Sequence, residues 1–96
     1  MQTANTQKVF VDKNVVVIDV RTVEEFQGGH FPNSVNIPLD QIDTALTRFP
    51  KKEAKIIVCC QRGGRAQRAK EFLEGRGYTN VENGGPWDCL SSTPNP

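Results

Sequence analysis

The chain is 96 residues long, 36% hydrophobic and 24% charged, with a formal net charge of +1. That length supports one domain with a modest core, and the balanced charge leaves no footprint of a nucleic-acid binder. No apolar run approaches the roughly eighteen residues that a membrane span needs, and the opening MQTANTQK lacks the charged-then-apolar layout of a signal peptide, so any leader on an exported form is expected to have been removed.

Residues 1–7 are polar and are expected to form a flexible segment ahead of a domain over 8–90. Val9–Val11 is a short strand candidate. The run VVVIDV (Val15–Val20) is continuous, apolar and β-branched, as in a strand buried on both faces. Glu24, Glu25 and Phe26 then suit a short helix ending at Gly28 and Gly29. Ser34–Ile37 is a further short strand candidate. Leu39, Ile42, Ala45 or Leu46, and Phe49 carry helical spacing, broken by Pro50. KIIVCC (Lys55–Cys60) is the second buried strand, followed by a helix over Arg65–Glu74 with Ala66, Ala69, Phe72 and Leu73 on one face. Asn80–Glu82 is the last strand candidate, and SSTPNP (Ser91–Pro96) carries no apolar residue and is expected to be a flexible tail. Strands alternating with helices predict an α/β domain around a mainly parallel central sheet flanked by helices.

The chain has three cysteines, two of them adjacent, which does not suit a disulfide framework. With a single histidine and no CxxC, no metal site is expected either. The thiols read as reduced, which favours the cytoplasm. In open parallel sheets, ligands bind beyond the carboxyl ends of the strands, and Cys60 stands there, in the stretch VCCQRGGRA (Val58–Ala66). Gly63 and Gly64 allow positive φ, so N–H groups can converge on an anion. The start of the following helix adds positive potential, and Arg62, Arg65 and Arg68 add permanent charge. A thiol facing such a bowl would have its thiolate stabilised beside a site that holds an anionic substrate. Arg65 completes C-x5-R from Cys59 and C-x4-R from Cys60. Because strand side chains alternate, the two cysteines face opposite ways. Cys59 is the better candidate for packing against a helix, and Cys60 for turning its sulfur into the bowl.

Three ordered motifs resemble the single-domain rhodanese-type sulfurtransferases. IDVRTVEEFQGGHFPNSVNIP (Ile18–Pro38) is similar to the family's DVR-x3-E-[FY]-x2-GH-x-P-x-[AS]-x-NIP segment. CQRGGRA (Cys60–Ala66) is similar to the active-site loop C-x2-G-x-R-[SA], whose glycine stands three residues after the nucleophile. GYTNVENGGPW (Gly77–Trp87) is similar to the closing G-[YF]-x-NV-x-x-x-GG-x-x-W motif, with one residue fewer before the tryptophan. The short length and GYTNVENGG most resemble the small bacterial phage-shock-protein-E type. The family implies the rhodanese-like fold and a thiolate that takes the sulfane sulfur of thiosulfate or a persulfide. It then passes that sulfur from an enzyme persulfide to cyanide or a thiol acceptor, in a ping-pong cycle. Carried over by position, Cys60 is catalytic, and Gln61, Arg62, Gly63, Gly64 and Arg65 bind substrate, Arg62 and Arg65 taking the sulfonate end. Asp19 and Arg21 support the scaffold, pairing with each other or bracing the loop. His30 is expected as a hydrogen-bonded turn residue, Trp87 as core or a wall of the pocket, and Cys89 as an incidental thiol.

No cofactor, metal, nucleic acid or membrane is expected as a partner, and the domain is expected to be a monomer. The expected compartment is the cytoplasm, or the periplasm if a signal peptide has been removed. Two alternatives remain open from the sequence: a cysteine-dependent phosphatase or arsenate reductase on the same fold, using Cys59 or Cys60, and a non-catalytic binding module.

Overall fold

The computed structural model describes residues 9–11 and 14–92. The expected flexible segment at 1–7 and residues 93–96 of the expected tail lie outside them. Four parallel strands form the central sheet in the order β3 (Val35–Asn36), β2 (Val16–Asp19), β4 (Ile56–Cys60), β5 (Val81–Pro86). A second, two-stranded sheet pairs β1 (Val9–Val11) in parallel with β6 (Leu90–Ser92). The helices are α1 (Val23–Gln27), α2 (Ala45–Arg48) and α3 (Gly64–Gly75).

The two apolar runs fold as their patterning requires. Along β4, Ile56, Val58 and Cys60 enter one core while Ile57 and Cys59 enter the other. On β2 the alternation continues, with Ile18 in the first core and Val17 in the second. The first core is closed by Ala66, Ala69 and Leu73 of α3 with Ile42, Ala45 and Tyr78. Val11 of β1, Leu90 of β6 and Phe31 close the second, with Trp87 packed against it.

Three boundaries differ from the sequence expectation. The third helix is a 3-10 segment, Leu39–Thr44, with a non-helical break at Gln41, leading into the four-residue α2. Strand β5 continues past Glu82 to Pro86, carried through Asn83-Gly84-Gly85 by a bulge. Val58 pairs with Asn83 and Cys59 with Gly85, leaving Gly84 as the extra residue. A Cβ on Gly84 would stand 2.7 Å from Ile57 Cγ2 and 3.0 Å from Leu90 Cδ2, so only glycine lets the bulge sit on the second core. Finally, β6 carries order two residues into the expected tail. Backbone pairing with Phe10 and Val11 holds Ser91 and Ser92 in this strand.

Candidate active site

Strands β2, β3 and β4 all end at the same edge of the sheet, and the side chains expected to form the site gather beyond it. The chain leaves β4 at Cys60, makes one tight turn, and enters α3 at Gly64. Gly63 caps α3 with φ 106°, a left-handed value that disfavours any residue with a Cβ. That conformation turns the Gly63 N–H back onto Cys60 Sγ at 2.8 Å. Gly64 does not share it: it is the first helical residue, and a Cβ there would meet nothing within 4 Å. Of the two glycines expected to allow positive φ, only Gly63 uses it.

Cys60, Gln61, Arg62, Gly64 and Arg65 line an open cavity of about 250 Å³ at the N-terminus of α3. Gly63 stands beneath, bonded to the sulfur instead of lining the space. The expected site residues are therefore brought together by one turn and one helix start. Arg68 lies further along α3, exposed, and is not part of the lining.

The two cysteines face opposite cores, as strand alternation requires. Cys59 is fully buried with Val17, Phe31, Ile57 and Leu90. Its packing partners differ from the expected helix: α3 covers the Cys60 face, while β1, β6, Phe31 and Trp87 cover that of Cys59. Burial pushes the Cys59 thiol up to about 12, with the nearby Asp19 carboxylate adding to the shift.

Arg65 carries a bond that its spacing did not reveal. Its Nη1 and Nη2 donate to Glu25 Oε1 and Oε2 at 2.7 and 3.0 Å, a two-pronged ion pair across forty residues of sequence. Glu25 is held in place from its own helix. Thr22 caps α1, its Oγ1 accepting from the Glu25 N–H at 3.1 Å while the Thr22 N–H donates to Glu25 Oε1 at 2.9 Å. Arg65 first, then the Thr22 N–H, lowers the Glu25 carboxyl to about 2. The T-x-x-E of a capping box was the signal by which Glu25 could have been singled out. Arg62, by contrast, is exposed and makes no ion pair among the described residues.

Asn83 is the second residue missed. Its Nδ2 donates to Gly63 O at 3.1 Å and Gln67 Oε1 at 3.0 Å, while its Oδ1 accepts from the Gly85 N–H at 2.8 Å. The bulge of β5 is thereby latched to the start of α3. Asp19 and Arg21 pair with each other: Arg21 Nε and Nη2 reach Asp19 Oδ1 and Oδ2 at 3.0 and 2.8 Å, both residues buried. Arg21 Nη2 also donates to Gly29 O at 2.7 Å, and its guanidinium lies 4.9 Å from the Trp87 ring. None of these bonds reaches residues 61–65, so the pair supports the sheet edge rather than gripping the loop. His30 is the expected turn residue, its Nδ1 2.8 Å from Phe26 O and its ring stacked on Phe26 at 3.7 Å. Trp87 packs against the Cys59 core and does not line the cavity.

Residues 4–84 match the rhodanese-like domain family. Among curated relatives, the chain is 41% identical over 69 residues to thiosulfate sulfurtransferase PspE of Escherichia coli strain K12, covering 71% of this chain and 66% of that protein, just under two thirds of its length. Its fold is similar to a rhodanese with anions from E. coli, with TM-score 0.76, 35% identity, and coverage of 82% of this chain and 94% of that one. The human single-domain sulfurtransferase TSTD1 superimposes with TM-score 0.71 at 25% identity, over 85% of this chain and 94% of its own. With three motifs in order, a thiol at the carboxyl edge of a parallel sheet and this family match, the chain belongs to the rhodanese-like domain family.

Proposed function

We propose that the protein is a thiosulfate or persulfide sulfurtransferase that works through Cys60. The observation that carries this reading is the Gly63 N–H aimed at Cys60 Sγ at the mouth of an arginine-rimmed cavity. The likeness to proteins named as sulfurtransferases supports it. In the first half-reaction the Cys60 thiolate attacks the outer sulfur of thiosulfate. The S–S bond of the donor breaks, its electron pair leaves with sulfite, and a Cys60 persulfide remains. In the second, cyanide or a thiolate attacks the outer persulfide sulfur and the Cys60 thiolate departs with the electron pair. Negative charge persists on the enzyme sulfur throughout, and the Gly63 N–H and the α3 N-terminus stabilise it.

The backbone from Gln61 to Arg65 is the cradle in this proposal. Arg62, whose guanidinium has no ion-pair partner among the described residues, takes the sulfonate end, and Arg65 contributes its N–H and a charge shared with Glu25. The alternative nucleophile, Cys59, faces the opposite core with its proton held to about 12. Free thiols suit a reducing compartment such as the cytoplasm. The test is turnover: thiosulfate and cyanide should yield thiocyanate and sulfite with ping-pong kinetics, and an aryl phosphate should release no phosphate. Phosphate release without sulfur transfer would replace this reading with the phosphatase, and silence in both assays with a binding module.

A further inference from the structure

The cavity is rimmed by two guanidiniums, and they are not equivalent. Arg62 is uncompensated among the described residues, whereas both terminal nitrogens of Arg65 are already engaged by Glu25. A fork gripping one carboxylate this way cannot offer the same two-pronged grip to an incoming oxyanion without displacing Glu25. Nor is Glu25 a loosely placed surface charge. The capping box with Thr22 fixes its carboxylate at the start of α1, independently of Arg65. The mouth therefore carries the charge of one arginine, although its sequence supplies two.

We propose that Glu25 is a specificity-determining positioning residue: by clasping Arg65 it halves the charge of the cavity mouth and limits the preference for doubly over singly charged sulfonyl anions. The identity of the donor rests on the sulfurtransferase reading, while the charge arithmetic does not. The clasp also serves turnover. Sulfite, the leaving product, is an anion of the same kind as the donor, and a mouth with two free guanidiniums would hold both equally without gain in rate. At cavity distances in a water-rich mouth, one unit of charge changes the affinity of an anion about threefold per unit of its own charge. The effect shrinks as salt is added.

The test compares Glu25→Gln, Arg65→Gln and the double variant, with thermal melting to verify folding; glutamine still closes a capping box. For each, kcat/KM is measured with thiosulfate, a dianion, and with benzenethiosulfonate, a monoanion in which phenyl replaces one sulfonate oxygen. Dissociation constants are measured in parallel for sulfate and methanesulfonate, which need no turnover. The dianion-to-monoanion ratio should rise about threefold in Glu25→Gln, fall about threefold in Arg65→Gln, and return to the wild-type value in the double variant. A ratio unchanged across the series, or moved the same way by both single variants, would overturn the proposal and leave the pair a structural staple. If wild type moves no sulfur from either donor, the sulfurtransferase reading fails, and the sulfate and methanesulfonate series still decides the role of Glu25. Should Arg65→Gln fail to fold, Glu25→Gln must by itself raise the sulfate-to-methanesulfonate affinity ratio and steepen its salt dependence, or the proposal falls.

Discussion

Cys60 and Gly63 make the smallest unit on which the proposed sulfur transfer depends. The sulfur at the end of β4 receives an N–H only because Gly63 holds a φ of 106°. Its neighbour Gly64 has ordinary helical geometry and open space around its α-carbon. The adjacent glycines should therefore respond in opposite ways to alanine. Gly63→Ala should cost about 1–2 kcal/mol in urea unfolding and depress sulfur transfer, because the strained conformation must relax away from the sulfur. Gly64→Ala should leave stability unchanged or raise it by up to about 1 kcal/mol. Equal losses in both would mean that the loop does not distinguish them. The sequence marked the pair of glycines as flexible; which one is used depends on where α3 starts, and that is fixed by packing of Ala66 and Ala69 on the sheet.

At the scale of elements, the loop is held by two latches from distant parts of the chain, Asn83 from β5 and Glu25 from α1. Asn83→Ala removes three hydrogen bonds around the bulge and the α3 start, and should lower stability by about 1–2 kcal/mol. Denaturant unfolding reads the stability, and a larger fractional loss of sulfur-transfer rate than in an exposed control such as Lys51→Ala reads the loosened loop. The strands of the central sheet and α3 were legible because their information is local: unbroken β-branched runs, and apolar residues at helical spacing before a glycine. The latches were not. Glu25 and Arg65 are forty residues apart, and nothing in either segment names its partner. The Asn-Gly-Gly of β5 lies beyond the strand expected at Asn80–Glu82, and its bulge tolerates only glycine at Gly84 because Ile57 and Leu90 crowd that α-carbon from other parts of the chain. In the same way β6 was hidden, since its serines pair through the backbone with a strand at the other end of the chain.

For the whole molecule, the two faces of β4 divide the labour between two cysteines. One face carries Cys60 to the cavity at the N-terminus of α3; the other buries Cys59 in the core closed by β1 and β6. Cys59 should then make itself felt in stability at high pH. Its proton is held to about 12 in the folded protein, against an ordinary value of 9.0, so the unfolded chain releases it first. Stability is accordingly retained below about pH 9 and lost as pH climbs from there toward 12. Relative to wild type, Cys59→Ala should flatten that alkaline decline in urea titrations. The division also defines the most direct test of Cys60 as the sulfur carrier, the intact mass of the protein after thiosulfate treatment and removal of excess donor. Wild type and Cys59→Ala should each gain a single sulfur atom that cyanide removes, and Cys60→Ala, folded by its melting curve, should gain none. Sulfur retained by Cys60→Ala and lost from Cys59→Ala would make Cys59, not Cys60, the sulfur carrier.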